Sequence, residues 1–308
     1  SESTVSKLIQ LRFPDLEREN AAKIAEFSGG NARIAIALAS RVKSDETLTS
    51  FSDEELFQRL FSQRKGKNDI LFEGAEALSL FYSFNVSNGE INDELGVISL
   101  ISGIERRTLY RHAAELMRRQ LAQQRGDWRA ILPHALANRL AKSALENIPI
   151  SEINSELFKV VNIRLLKSCA HRIGYLHDCE AAKNLAESWI VPGAPLGDIL
   201  LCGSDLIDCL NYIAPVFPAT VLSCLETASL QPEFASRSNP NFKVFVRLLC
   251  HLAYEDEYFD RSVALLLKFA QSEEEGEKDN SVVAQVKQLF SLYLSGTQAL
   301  PSRRRSVI

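Results

Sequence analysis

Apolar residues recur at helical spacing along almost the whole chain, and this pattern limits the folds open to it. Residues 16–27 and 32–42 read as two amphipathic helices. One stretch departs from the pattern, because residues 121–124 and 128–132 read as short strands around the turn 125–127. We therefore expect a mostly α protein with a small β-hairpin.

Capping residues mark where several of these helices begin and end. Gly29 and Gly30 supply a left-handed end to the helix at 16–27, and Asn31 can cap the next one. Ser52 is predicted to cap a helix at 53–64, whose first turn is acidic. Further helices are predicted at 69–84, 90–102, 106–120 and, starting after Pro133, 134–146. Together with the hairpin, they form the pattern of a winged-helix domain at residues 53–148.

Strand signals nearly vanish beyond Pro149. Helical stretches are separated by breaks rich in Pro, Gly or Asn at 192–197, 215–218, 232–241 and 272–281. We expect an irregular α-solenoid of helical pairs over 149–308. No helix is predicted after the last stretch, and Ser302–Arg305 is predicted to be a solvated turn. The array is therefore expected to be truncated, with apolar side chains exposed near Phe290, Leu292, Tyr293 and Leu294.

Composition argues for a globular protein of the cytoplasm. The 308 residues carry a net charge of −4, and their balance of apolar and charged residues can support buried cores. All six cysteines lie in the second half and none forms a CxxC pair, which favours free thiols in a reducing compartment. A signal peptide and a long apolar run are both missing from the sequence, so we expect no membrane partner.

The segment Gly30-Asn31-Ala32-Arg33, followed by IAIALA, resembles the start of a lid helix in AAA-type ATPases. In that family an arginine at this place reaches the nucleotide phosphates, which suits its planar, permanently charged donor fork. The resemblance implies that residues 1–48 are a lid and that Arg33 contacts nucleotide. The alternative is a glycine helix end followed by a solvated arginine.

The segment ILPHALANRLA at 131–141 resembles the Met-His-Asp-Leu segment of STAND ATPases, which follows the wing of their winged helix. His134 and Leu136 fall in the matching places, whereas Pro133 and Ala135 replace the methionine and the aspartate. The resemblance implies that His134 touches the ADP phosphate in a resting state. The alternative is a histidine that makes an ordinary polar contact at a helix start.

A phosphate-binding loop of the form GxxxxGK[ST] does not occur in the sequence. The Gly66-Lys67 pair has Phe61 in place of the first glycine and Asn68 in place of the hydroxyl residue. We therefore expect no ATP hydrolysis and no bound cofactor in this chain. ATP or ADP, with Mg²⁺, would bind to the missing ATPase core of a longer parent protein.

The predicted winged helix is basic, with nine Arg or Lys and three acidic residues over 102–142. Five of its arginines are candidates for nucleic-acid contact: Arg106, Arg107 and Arg111 on the recognition helix, and Arg125 and Arg129 beside the wing. The same arginines could instead pair with acids of the ATPase core. His171 and His177 fall on different helix faces, so we expect no metal site there.

Two functional hypotheses follow from these patterns. The first is the regulatory and sensor portion of a STAND-type signal-transduction ATPase, in bacterial defence or signalling. Its partners would be the missing ATPase core, the remaining repeats, a protein trigger and further copies of the chain. The second is a DNA-binding winged-helix regulator, or an origin-type AAA fragment with a helical ligand-sensing domain.

Overall fold

A computed structural model describes residues 1–42, 47–61, 69–87, 93–159, 162–273, 281–291, 293 and 295–307. These residues are mostly helical and contain one small antiparallel sheet, so the predicted fold class is confirmed. The chain divides into two compact units, Ser1–Arg172 and Ile173–Ile308.

The first unit, with the helix that ends it, contains ten helices and three strands among its described residues. They are α1 (Glu2–Arg12), α2 (Arg18–Phe27), α3 (Ala32–Ala39), α4 (Asp53–Phe61), α5 (Asp69–Ser79), β1 (Phe84–Asn85), α6 (Glu94–Ser102), α7 (Arg106–Arg118), β2 (Ala122–Arg125), β3 (Trp128–Ile131), α8 (His134–Asn147), α9 (Ile150–Leu157) and α10 (Ile163–Ile173).

Helices α1, α2 and α3 pack on one another as a three-helix bundle. Gly29 and Gly30 take positive φ angles of 55° and 77°, which lets the chain reverse between α2 and α3. A side chain at Gly30 would crowd the backbone of Ser1, so glycine also permits a close approach to the start of α1. The predicted glycine end of α2 is confirmed.

Helix α4 begins with the predicted cap. The Glu55 carboxylate accepts hydrogen bonds from the Ser52 N–H and hydroxyl groups, and Ser52 Oγ accepts one from the Glu55 N–H. This reciprocal pairing satisfies amide groups that a helix start leaves free. Downstream, α5 is the central helix and contacts α7, α8 and β3.

The sheet has the strand order β1-β3-β2, and both pairs are antiparallel. Gly126 takes a φ of 60° in the turn between β2 and β3, so the predicted hairpin is confirmed. The helix predicted at 69–84 is wrong at its end, because α5 stops at Ser79 and residues Phe84–Asn85 form β1. The apolar run continues past Ser79, but Leu80 and Phe81 are buried without being helical.

Helix α10 closes the first unit against the segment between α5 and β1. Ser168 Oγ donates to the Ser83 carbonyl at 2.6 Å and accepts from the Ser83 N–H at 2.9 Å. The Ser168 carbonyl accepts from the Tyr82 N–H at 3.1 Å. The first compact unit therefore runs to Arg172 and includes α9 and α10.

Helices form the second unit, and its described residues contain no strand. It contains α11 (Glu180–Ile190), α12 (Ser204–Ile213), α13 (Pro218–Ala228), α14 (Phe242–Leu252), α15 (Phe259–Gln271), α16 (Val282–Leu289) and α17 (Pro301–Ser306). From α13 onward to α16, each helix contacts the next one along the chain. None of the helices in the described ranges has the length and apolar content needed to cross a bilayer.

The end of the chain differs from the prediction. Residues Pro301–Ser306 form α17, and the expected solvated turn at Ser302–Arg305 is wrong. Arg303 pairs with Asp256 at 2.9 Å and with Asp260 at 3.1 Å. Arg304 is buried and donates to the Ser291 carbonyl at 2.6 Å. Both arginines therefore attach the last helix to the unit.

Two of the four apolar residues expected to be exposed, Phe290 and Tyr293, lie in the described part of the chain. Phe290 is half-buried, and its ring contacts that of Phe259. Tyr293 is exposed, with 87% of its surface accessible. Leu292 and Leu294 lie outside the described residues. All six cysteines are free thiols, as the sequence predicts.

Candidate functional site

Arg33 lies in the first turn of α3, with its side chain exposed. The side-chain oxygen of Asn31 accepts hydrogen bonds from the N–H groups of Arg33 and Ile34, at 3.0 and 3.3 Å. This cap fixes the residue at which α3 begins. The guanidinium of Arg33 is thereby presented to solvent beside a helix N-terminus.

His134 is the first residue of α8 and follows β3 directly after Pro133. Its ring is exposed but stacks on Tyr82, with ring centroids 5.1 Å apart and planes 14° from parallel. Tyr82 also stacks on His171, at 3.9 Å and 21°. His134 is therefore held in place by an aromatic contact with the segment between α5 and β1.

A fully buried arginine completes this group. Arg172 donates from Nε to the Ser79 carbonyl at 3.0 Å and from Nη1 to the Asn138 side-chain oxygen at 2.5 Å. Its guanidinium lies 5.6 Å from the centre of the Tyr82 ring, within the range of a cation–π contact. We call Tyr82, His134, His171 and Arg172 the Tyr82 cluster.

The Tyr82 cluster favours neutral imidazole rings. Burial, and then the positive charge of Arg172, lower the pKa of His134. The same two causes lower the pKa of His171, and the nearby His134 lowers it further. Both histidines are therefore uncharged at neutral pH, and each can donate one N–H group.

Arg33 and His134 are not brought into contact. No hydrogen bond or ion pair joins their side chains in the ranges that the structure describes. Arg33 belongs to the three-helix bundle, whereas His134 belongs to the group of helices around α5. A ligand that both residues touch would therefore have to bridge two parts of the first unit.

Only part of the predicted basic surface on α7 is available to a partner. Arg107 and Arg111 are exposed, and Tyr110 between them is 43% exposed. Arg106 is instead paired with Asp93, because its Nε donates to both carboxylate oxygens at 2.8 and 2.7 Å. Arg106 thus links the start of α7 to the cap of α6.

The two candidate arginines of the hairpin also differ from each other in exposure. Arg125 is exposed at the end of β2. Arg129 is only 6% exposed, and its guanidinium lies 4.9 Å from the centre of the Tyr110 ring. Its Nε also donates to the Gln124 side-chain oxygen at 3.2 Å. Arg129 therefore attaches the hairpin to α7, and its buried guanidinium is not available for the predicted contact with nucleic acid.

Sequence reasoning missed an ion pair between the buried Glu94 and the half-buried Arg164. The Glu94 carboxylate also accepts from the Asn85 N–H at 2.6 Å, so it joins α6, β1 and α10. Burial raises the pKa of Glu94 despite the neighbouring positive charge. Arg164 further stacks on Trp128, 4.4 Å from its ring centre. No spacing in the sequence signals these contacts, which join residues on separate elements.

Comparisons with models of protein families, with curated proteins and with solved structures found no match to this chain.

Proposed function

We propose that the chain is the regulatory and sensor portion of a STAND-type nucleotide-switch protein, acting in bacterial defence or signalling. The order of elements in the first unit supports this, since a three-helix bundle precedes helix–helix–strand–helix–helix–strand–strand–helix. The strand order β1-β3-β2 is that of a winged helix. A lid at 1–48 followed by a winged helix at 53–148 is the arrangement that the resemblance implies.

The position of His134 carries the proposal. STAND proteins place a nucleotide-contacting histidine just after the wing, and His134 is exposed at the first residue after β3 and Pro133. Its stack on Tyr82 limits the motion of the ring. A neutral imidazole can donate one hydrogen bond to a phosphate oxygen, and the phosphate charge would then favour its protonation.

Arg33 would act on the same nucleotide from the lid. Its charge is permanent and its donors form a planar fork, which suits a terminal phosphate. ATP or ADP, with Mg²⁺, supplies the phosphate charge to which the two residues respond. The nucleotide-binding core would lie outside these 308 residues, because GxxxxGK[ST] does not occur in the sequence.

Two substitutions in the full-length protein test this mechanism. His134→Ala should weaken the ADP-bound resting state and raise basal signalling, whereas Arg33→Ala should weaken the response to ATP and lower signalling. Each change removes a charge-assisted contact worth about 1–3 kcal/mol from one of the two states. The measurements are the ADP that co-purifies with the protein, the affinity for each nucleotide and the signalling output.

Arg12→Ala is the matched control, because Arg12 is an exposed arginine in the last turn of α1. It should leave both nucleotide affinities unchanged. The mechanism is refuted if all three variants retain wild-type affinity and signalling. The class assignment is refuted separately if the complete coding sequence contains no phosphate-binding loop.

The chain by itself is proposed not to hydrolyse ATP. The purified 308-residue chain with Mg²⁺ and ATP should release no more phosphate than a buffer control. Phosphate release that depends on Mg²⁺ and rises with protein concentration would contradict the absence of a catalytic site.

Residues 149–308 are proposed to recognise a protein trigger, or other parts of a longer parent, in the cytoplasm. Successive helix contacts in the second unit support an array of helical pairs, and such arrays leave long surfaces for macromolecules. Exposed Leu201, Leu230 and Tyr293 are candidates for such contacts. If Tyr293 lies in a self-association surface, light scattering should detect oligomers that Tyr293→Glu reduces.

DNA binding is the alternative function, and the exposed Arg107, Tyr110 and Arg111 on α7 favour it, together with Arg125. Fluorescence anisotropy with a random duplex at two salt concentrations separates the two functions. A DNA-binding regulator would bind the duplex with a strong salt dependence, and Arg107→Gln would weaken it. A switch protein with internal winged-helix contacts would show neither effect.

A further inference from the structure

Helix α7 presents a row of polar side chains to a pocket of about 510 Å³ in the first unit. Five residues of α7 and the residue that follows it line the pocket at helical spacing: Thr108, Arg111, His112, Glu115, Arg118 and Arg119. Arg41, just beyond α3, and Leu71 of α5 complete the lining. The volume is in the range of small-molecule sites.

The charge of this pocket is strongly positive. Among its described lining residues are four guanidinium groups, at Arg41, Arg111, Arg118 and Arg119, and one carboxylate, at Glu115. Burial disfavours that carboxylate, but hydrogen bonds from Arg119 and Arg118 hold the pKa of Glu115 below its usual range. The lining therefore carries an excess of positive charge at neutral pH.

Glu115 orients the arginines that surround it. One carboxylate oxygen accepts from Arg119 Nε at 2.8 Å and lies 3.7 Å from Arg41 Nη2. The other accepts from Arg118 Nε at 2.9 Å and lies 2.7 Å from Arg118 Nη2. Arg119 is fixed further by donating to the Leu60 carbonyl at 3.0 Å. Because these guanidinium groups are held in advance, ordering them costs a ligand less entropy.

His112 adds a buried polar group to the lining. It is 8% exposed, and its Nδ1 is buried without a hydrogen-bond partner. Burial lowers the pKa of His112, which keeps the ring neutral.

We propose that this pocket binds the phosphate group of a small phosphorylated molecule. Planar guanidinium forks bind phosphate oxygens in pairs, and several converge here around one concave space. The recessed position of His112 and Arg119 favours a small ligand over a DNA backbone, which would meet the exposed side chains of α7 first. The proposal does not depend on the nucleotide-switch assignment, which concerns Arg33 and His134.

Isothermal titration of the whole chain with pyrophosphate, and separately with AMP, tests the proposal. Saturable binding that weakens as salt is added is expected. Arg111→Gln and Arg118→Gln should each weaken binding by about tenfold or more, because each removes a charge-assisted donor. Arg12→Gln removes the same charge from α1, outside the pocket, and should leave binding unchanged.

Arg111→Lys provides a second variant that keeps the charge but loses the planar fork. It should bind more weakly than wild type, and circular dichroism should confirm that each variant remains folded. The proposal is overturned if neither probe binds saturably, or if Arg12→Gln weakens binding as much as the pocket variants do. Binding of a duplex that depends on Arg111 and Arg118, without pyrophosphate binding, would assign the pocket to DNA instead.

Discussion

Gly74 lies near the middle of α5, and we expect Gly74→Ala to destabilise the first unit even though this type of substitution usually stabilises a helix. Replacing a helical glycine with alanine ordinarily gains up to about 1 kcal/mol. At Gly74, however, an added Cβ would lie 2.1 Å from Nδ1 of His112 and 2.9 Å from its Cγ. Real Cβ contacts are essentially never shorter than 3.0 Å, so the ring or α5 would have to shift by roughly 1 Å.

The cost of that shift should exceed the gain in helix propensity. Overpacking a well-packed interior typically costs about 1–3 kcal/mol, and the imidazole is buried with little room to move. We therefore expect Gly74→Ala to lower the free energy of unfolding by roughly 1 kcal/mol. His112→Ala should be less harmful in the Gly74→Ala background than in the wild type, with a coupling of about 0.5–3 kcal/mol.

The two tryptophans allow the measurement to be confined to one unit. Trp128 belongs to the first unit and Trp189 to the second, so urea unfolding followed by fluorescence in a Trp189→Phe background reports the first unit alone. A single transition for a chain of two units cannot be assumed, which makes this separation necessary. If Gly74→Ala raises the midpoint, or if the double variant shows no coupling, then His112 does not pack against Gly74.

Three further substitutions should each change the stability of one unit in a direction that the structure predicts. Glu76→Gln should stabilise the first unit at neutral pH, because burial raises the pKa of Glu76 above 4.5 and so disfavours its charged carboxylate. Thermal unfolding should show that this gain in stability disappears below pH 4.5, where the carboxyl group is neutral in the folded and unfolded states alike. His171→Gln should flatten the fall in stability on acidification below pH 6.5, since a lowered folded-state pKa makes the folded protein bind protons less readily than the unfolded chain; urea titrations across this range test it. Arg261→Ala should cost the second unit less than about 1 kcal/mol, as its paired contacts with Glu226 at 2.7 Å are partly exposed. The Trp189 signal in a Trp128→Phe background reports that change, and a much larger loss would mean that Arg261 supports packing as well.

Features that depend on neighbouring residues were predictable from the sequence. The cap at Asn31, the Ser52–Glu55 pairing and the turn at Gly126 each involve residues at most three positions apart. Their geometry follows from backbone amide groups that need a partner and from glycine's access to positive φ. Such local signals set the ends of α3, α4 and the hairpin.

Strand β1 could not be predicted in the same way. Phe84–Asn85 forms a strand because it pairs with Trp128 and Arg129, more than forty residues later in the sequence. The residues before it continue an apolar pattern that favours extending α5. Side chains of α10 bind the backbone where the helix ends and beyond it: Arg172 donates to the Ser79 carbonyl, and Ser168 binds the backbone of Ser83. Helix and strand propensities depend on the residues of a segment itself and do not include contacts with residues far away in the sequence.

The row of charged residues on α7 shows the same limit for a binding site. Glu115 precedes Arg118 and Arg119 by three and four residues, a spacing that permits ion pairs on one face of a helix. The structure also buries Arg119 against the Leu60 carbonyl and brings Arg41 to the other side of Glu115. The three arginines thus converge because α3 and α4 pack nearby, and a short-range charge pattern cannot reveal that convergence. The sequence therefore shows which arginines lie on one face of α7, but only the packing of the helices shows how many arginines meet at this pocket.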